Sequence, residues 1–289
     1  MNALDGSPKR HWLPWIKRVV AESMKLLSPP AAECLLCGKT AVGFVQRPSW
    51  TSRAVAGLCG ACSASVPWIA VIKCPICGRA ETCGDCLRRT RTLFIWNRSA
   101  VRYDSFMKRM LALYKYRGHE RLEPALIDML SVAYELMMNE MRSPCGQIRS
   151  RGQHPWDCIT YVPVSDARSA ERGFNQAERL AAGLAVRYGL PLGSLLVRSK
   201  HGAKQSFKSR AQRIRDMQHV FEANEGAMAK LRLKSNKQVA NGERKGGGLR
   251  LLLVDDIYTT GSTAEACART LIGHLGADTA VYVLTWARS

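Results

Sequence analysis

The 289-residue sequence has no stretch of about 18 apolar residues free of charge, which excludes a membrane-spanning helix of ordinary length. It shows no repeat of 20 to 50 residues, which argues against a solenoid. Its first 30 residues lack the unbroken apolar core of a secretory signal; Lys9, Arg10, Lys17 and Arg18 instead surround Trp12 and Trp15. Acidic residues are also scarce, 23 against 43 Lys and Arg, for a net charge of +20. Such an excess points to a polyanionic partner or substrate: nucleic acid, a phosphorylated metabolite or acidic lipid. With 46% hydrophobic and 23% charged residues the chain is globular and long enough for roughly two domains. These features read as a cytoplasmic protein. Trp12, Trp15, Ile16 and Val19 recur at helical spacing, so residues 1–33 are expected to form a basic amphipathic segment that docks on its own protein or rests on the inner face of a membrane.

Eight of the 11 cysteines stand in four Cys-x-x-Cys pairs: Cys34 with Cys37, Cys59 with Cys62, Cys74 with Cys77, and Cys83 with Cys86. One such turn presents two thiolates to a tetrahedral ion and two turns complete a closed site, so four turns suit two structural zinc ions. Glycine follows the second cysteine at Gly38 and Gly78, where a metal knuckle needs backbone freedom. Pairing in chain order is the simplest arrangement, with an interleaved pairing left open by spacing alone. A redox role, or a site reduced to one metal, are the competing readings. Little apolar sequence lies between Cys34 and Cys86, so metal is expected to replace a core there. Cys145, Cys158 and Cys267 stand alone and read as core or incidental thiols.

From about Thr92 the pattern changes. Tyr103–Tyr116 and Arg121–Met141 carry apolar residues at spacings of three and four and read as helices joined by a turn at Arg117-Gly118. Cys158–Val162, Leu249–Val254 and Thr279–Leu284 read as strands; Phe174–Tyr188 and Thr263–Leu275 read as helices. Strands apolar on both faces and alternating with helices imply an α/β domain with a parallel sheet. The division expected is a basic segment at 1–33, a double zinc ribbon at 34–91 and the α/β domain at 92–289.

Ligands of such sheets sit at the carboxyl ends of the strands, which directs attention to the stretch after Val254, Asp255-Asp256-Ile257-Tyr258-Thr259-Thr260-Gly261-Ser262-Thr263. Adjacent carboxylates suit a diol, and hydroxyl residues with a glycine entering a helix suit a phosphate, so together they specify a sugar phosphate. The run Leu252 to Thr263 resembles the phosphoribosyl pyrophosphate (PRPP) signature of type I phosphoribosyltransferases. From Cys34 to Arg288 the chain resembles the ComF family of competence-associated proteins, through the cysteine pairs, Lys115-Tyr116-Arg117-Gly118, Val162-Pro163-Val164, Glu171-Arg172-Gly173-Phe174-Asn175-Gln176-Ala177 and the stretch Gln205 to Phe221. It departs at Asp216, where Asn is usual, at Lys208, where Leu is usual, and in a longer Asn224–Gly248.

The resemblance implies a type I phosphoribosyltransferase-like sheet and a part in DNA uptake during natural transformation. It implies that Asp255 and Asp256 hold the ribose hydroxyls, that Thr259, Thr260, Gly261, Ser262 and Thr263 bind the 5'-phosphate, and that magnesium accompanies the pyrophosphate. Lys115, Arg117 and Arg172 are the cations in motif positions, expected to offset charge on the leaving group. The alternative is a non-catalytic PRPP-binding module that contacts single-stranded DNA and DNA-uptake or recombination proteins. Leu192 to Arg250 holds 14 Lys or Arg against 4 Asp or Glu, a net of +10. Within it Lys204, Lys208, Arg210 and Arg213 are the expected nucleic-acid contacts, with Phe207 available to stack on a base. Asn224–Gly248 reads as a flexible insertion.

Overall fold

The computed structural model describes residues 33–40, 51, 53–89, 91–116, 118–142, 155–199, 220–241 and 248–289. The expectations for the N-terminal basic segment, Cys145, Arg117, Lys204, Gln205, Phe207, Lys208, Arg210 and Arg213 lie outside those residues.

The cysteine-rich part contributes a 3-10 turn at Arg53–Val55 and two short helices, α1 (Gly60–Ala64) and α2 (Gly84–Leu87). It leads into strand β1 (Asn97–Arg102), helix α3 (Ser105–Tyr116) and the long helix α4 (Glu123–Arg142). Next come β2 (Cys158–Tyr161), α5 (Asp166–Arg172), α6 (Gln176–Tyr188), β3 (Leu196–Arg198), β4 (Phe221–Ala223) and α7 (Glu225–Ala240). The chain closes with β5 (Arg250–Tyr258), α8 (Ser262–Leu275) and β6 (Ala280–Arg288). The main sheet runs β1-β6-β5-β2 with every pair parallel, and β3 and β4 form a separate antiparallel hairpin. The α/β class expected from strand composition is the one observed.

Helix α4 buries Leu126, Met129, Leu130, Ala133 and Met137, a stripe at the helical period, and packs on β1, β6 and α6. Helix α6 covers β2 and β5 on the same face, while α8 packs on β6 and the hairpin. Covered on both sides, β5 is buried continuously from Leu251 to Val254. Strand β1 is not legible as a strand in the sequence because it begins Asn97-Arg98-Ser99, yet all three side chains are buried. Their polar atoms are satisfied internally: Arg98 forks onto Glu140 at 2.6 to 3.0 Å, and the Ser99 hydroxyl meets that of Thr285 at 2.6 Å.

Two expectations are corrected. Over its described residues 224–241, the stretch expected as a flexible insertion is ordered instead, since Glu225–Ala240 is helical and the Asn224 side chain caps it by accepting from the Ala227 amide at 3.2 Å. Its Ala, Leu, Lys, Met and Gln residues favour helix, but only Met228 and Leu231 are buried, so no apolar stripe announces it. Nor does the cysteine-rich part lack a core. Ala54, Val55, Leu58, Val66 and Ile69 are buried, and most of them join the main core, because the 3-10 turn packs on α4 and Pro67–Ile69 lies along β1. Among the described residues no helix is long and apolar enough to cross a membrane.

Candidate functional site

Strand β5 does not end at Val254. It continues through Asp255, Asp256 and Ile257 to Tyr258, paired with β6 as far as Arg288, so both aspartates belong to the strand and the turn starts at Thr259. Alternation sends the two carboxylates to opposite faces. Asp255 lies opposite Thr285 in register and lines a small cavity with Val162, Thr263 and Ala264 under the first turn of α8. Asp256 faces α3, where it forms an ion pair with Lys115, whose side chain is only 13% exposed. The Asp256 amide donates to Asp255 Oδ1 at 2.8 Å. Burial, and then the neighbouring Asp256 carboxylate, hold Asp255 well above the ordinary carboxylate range. Tyr103, missed in the sequence, stands close enough that burial and the Asp256 charge both raise its phenol.

A carboxyl group whose proton is held more tightly in the folded state gives stability that is complete at acid pH and is lost as pH rises from the ordinary carboxylate range through the raised value. Asp255→Asn should therefore raise stability at neutral pH by roughly 1 kcal/mol and flatten that pH dependence. Thermal melts of the variant and the parent at pH 4 to 8 check this.

Beyond Tyr258 the chain turns at Thr259, Thr260 and Gly261 and enters α8 at Ser262. Gly261 has φ +82°, and a Cβ there would stand 2.1 Å from Tyr258 Oη, so only glycine fits. Gly261 has no side chain to cap α8; the Thr260 hydroxyl accepts from the Ser262 amide at 3.4 Å and meets the Ser262 hydroxyl at 3.0 Å. Thr259, Thr260 and Ser262 are exposed and Thr263 half-buried. The result is an open helix N-terminus, rimmed by hydroxyls, of the kind that takes a phosphate. The carbonyl sides of this turn are held from behind. Arg288 Nη1 donates to the Tyr258 and Thr259 carbonyls at 3.2 and 2.8 Å, and Arg89 donates to the Thr260 carbonyl. Neither arginine is marked as a site residue by the sequence; one ends the last strand, the other follows the last cysteine pair, and no motif contains them.

Lys115 and Arg172 are brought to the same side. Arg172 closes α5, donates to the Tyr116 hydroxyl at 2.6 Å and to Gln176 Oε1 at 3.0 Å, and stacks on the Tyr116 ring at 4.8 Å. Asn175 explains its place in the motif: its Oδ1 caps α6 through the Ala177 and Glu178 amides while its Nδ2 donates to the Val162 carbonyl, pinning the β2–α5 loop. A larger cavity, about 570 Å³, lies between that loop and the hairpin, lined by Tyr161, Pro163, Glu178 and Arg198 among others. None of the residues expected to hold the phosphoribosyl group lines it.

The cysteine pairs combine in chain order, Cys34, Cys37, Cys59 and Cys62 in one cluster and Cys74, Cys77, Cys83 and Cys86 in the other, with all sulfurs of a cluster within 4.8 Å of one another. Cys37 and Cys59 stand 3.7 Å apart and Cys77 and Cys83 3.6 Å, contacts far too long for a disulfide and suited to ligands of one tetrahedral ion. Burial, together with neighbouring sulfurs, pushes Cys62 and Cys86 far up, since several thiolates in one small volume need a cation. Burial also opposes ionisation of Cys34, but backbone contacts with Cys59, Cys37 and Leu36 outweigh it and bring the thiol down to about 6. Each donor set thus fits a zinc ion. At Gly78, φ +71°, a Cβ would stand 2.5 Å from the Asn97 carbonyl, so the second knuckle and β1 approach as closely as backbone allows. Cys158 and Cys267 are buried thiols away from both clusters, as expected of core cysteines.

No family model matches the chain. It is similar to the competence protein ComFC of Bacillus subtilis, 28% identical over 252 residues that span 83% of this chain and 88% of that protein. It is also similar to the DNA utilization protein YhgH of Salmonella typhimurium, 28% identical over 79% of this chain and 89% of the relative, and to competence protein F of Haemophilus influenzae, 23% identical over 77% and 86%. Among solved structures, the allosteric regulatory enzyme of purine biosynthesis is 20% identical with a TM-score of 0.25, over 46% of this chain and 22% of that one.

Proposed function

Because the chain belongs to the ComF family of competence proteins, we propose that the end of β5 and the turn behind it bind PRPP with magnesium and that the protein transfers its phosphoribosyl group to a nitrogen acceptor. The observation that carries the reading is the joining, at one end of the sheet, of two carboxylates with an exposed, hydroxyl-rimmed helix N-terminus. In this reading Asp255 and Asp256 accept hydrogen bonds from the ribose hydroxyls, and the amides and hydroxyls of Thr259 to Thr263 hold the 5'-phosphate. Magnesium would neutralise the pyrophosphate, and two adjacent carboxylates at this strand end suit a dication nearby. Arg172, held on Tyr116, would offset leaving-group charge, with Arg117 next to Tyr116 in sequence. Lys115 holds Asp256 in place through their ion pair until the ligand's charge draws it away. The functional division assigns residues 34–91 to the metal ribbons and 92–289 to the phosphoribosyl domain.

A second reading, a PRPP sensor without turnover, has one observation in its favour: Lys115, a cation of the motif, is already committed to Asp256. Incubating zinc-loaded protein with magnesium, PRPP and a panel of nucleobases while following pyrophosphate release separates the two. Release with one base is the expected result; tight PRPP binding with no release would favour the sensor.

The relatives are named for competence and DNA utilization, and the +10 segment supports a role for this chain beside incoming single-stranded DNA on the cytoplasmic side. Lys230, Arg232, Lys234 and Lys237 are exposed on α7. Arg89, after the last cysteine pair, turns onto the Thr260 carbonyl. Binding to an oligonucleotide should fall steeply with salt, and charge reversal at Lys204, Lys208, Arg210 and Arg213 should lower the logarithmic salt slope by about 0.7 for each lost contact. Fluorescence anisotropy across a salt series checks this; binding that ignores salt would contradict it.

A further inference from the structure

We infer that Arg288 and Arg89 are positioning residues that tie the phosphate-binding turn to the second four-cysteine cluster, so that metal in that cluster sets the affinity for the 5'-phosphate. The inference rests on the PRPP reading above and adds a control to it.

Arg288 is 4% exposed, and no carboxylate side chain among the described residues pairs with it. Its partners are the Cys77 sulfur, the carbonyls of the turn and the neighbouring Ser289 oxygen. Nη2 reaches Cys77 Sγ at 3.5 Å, Nη1 holds the Tyr258 and Thr259 carbonyls, and the guanidinium lies 4.8 Å over the Tyr258 ring. Four thiolates around one dication leave a net charge of about −2, so a metal-loaded cluster is the anion that a buried guanidinium needs.

Arg89 repeats the arrangement from the other side of the cluster. It lies three residues after Cys86, its amide donates to the Cys86 carbonyl at 3.3 Å, and its guanidinium holds the Thr260 carbonyl. A third link runs through β1. Asn97 Nδ2 donates to the Cys77 carbonyl at 3.0 Å, Thr285 Oγ1 donates to Asn97 Oδ1 at 3.2 Å, and Thr285 stands opposite Asp255.

The consequence follows from peptide geometry. In a trans peptide the carbonyl and the next amide point in opposite directions. Fixing the carbonyls of Tyr258, Thr259 and Thr260 toward the ribbon therefore aims the amides of Thr259, Thr260 and Gly261 toward the open side, where a phosphate would sit. The Tyr258 carbonyl also accepts from the Ser289 amide at 3.0 Å, so releasing the arginines lets the Thr259 and Thr260 carbonyls rotate, and a preorganised anion site becomes one that each ligand must order.

The test compares the full-length protein with Arg288→Lys, Arg89→Ala and Cys77→Ser by backbone 15N relaxation, zinc content and calorimetric titration with magnesium-PRPP. Lysine keeps the charge of Arg288 but cannot bridge sulfur and two carbonyls. Arg288→Lys should keep both zinc ions yet lower the order parameters of residues 259–263 from near 0.85 to below about 0.6, with residues 251–254 unchanged. PRPP affinity should fall at least tenfold. Arg89→Ala should act in the same direction, and Cys77→Ser should do so together with loss of one zinc. An ordered turn in Arg288→Lys, or in Cys77→Ser after its zinc is gone, would overturn the inference. If Cys77→Ser does not fold, the two arginine variants decide. If the parent binds no PRPP, the PRPP reading fails while the relaxation data still judge the link between cluster and turn.

Discussion

Removing metal from the protein should unfold residues 34–86, and elemental analysis of protein purified without chelator should find two zinc ions per chain. Structural zinc contributes on the order of 10 kcal/mol per site at neutral pH, more than the whole stability of many domains. The eight sulfurs sit in two groups that are compact and, at six of the eight positions, buried. Without a cation these thiols cannot ionise together, as the upward pressure on Cys62 and Cys86 shows. The effect should extend beyond the ribbons, because Cys77 contacts Arg288, Asn97 donates to the Cys77 carbonyl and Arg98 donates to the Pro75 carbonyl at 3.0 Å. Chelator titration followed by far-UV circular dichroism and zinc release checks this. One ion per chain would mean a vacant cluster, and none would remove the metal from the account.

Replacing Asp255 and Asp256 together with Asn should weaken PRPP binding at least tenfold while leaving the fold intact. Each hydrogen bond from a diol to a carboxylate contributes roughly 1.5 to 3 kcal/mol, and an amide retains only part of that as an acceptor. The fold should survive because both side chains sit at the open end of β5, past the buried run Leu251–Val254, and because Asn at 255 removes a carboxylate that burial disfavours. The Lys115 ion pair with Asp256 is lost in the variant, which frees a cation and favours an anionic ligand. A measured drop is therefore smaller than the loss of diol contacts alone. Calorimetry with unchanged affinity in the double variant would mean that the sugar site lies elsewhere.

The amino-acid sequence carries the metal half-sites and the buried strands openly, because those features are local. A Cys-x-x-Cys turn is a metal half-site wherever it folds, and chain-order pairing needs only that neighbouring turns meet. Strands such as Leu251–Val254 announce burial on both faces through unbroken apolar runs. Features that depend on partners distant along the chain are hidden. Strand β1 looks polar until Glu140 and Thr285 are seen to satisfy Arg98 and Ser99. Helix α7 has intrinsic preference but no stripe, since it rests on the protein through Met228 and Leu231 alone among its fully buried side chains. The aspartates look like turn residues because carboxylates are rare in strands; β6 extends far enough to keep them paired. Arg288 and Arg89 carry no local signal, since their meaning comes from carbonyls about 30 and 171 residues away.

The structure of a magnesium-PRPP complex tests the central claim most directly. The account predicts the 5'-phosphate on the amides of residues 259–263 at the start of α8, with the ribose hydroxyls turned to Asp255 and Asp256 and the pyrophosphate toward Arg172. PRPP bound instead in the cavity lined by Tyr161, Glu178 and Arg198, with the end of β5 empty, would contradict it.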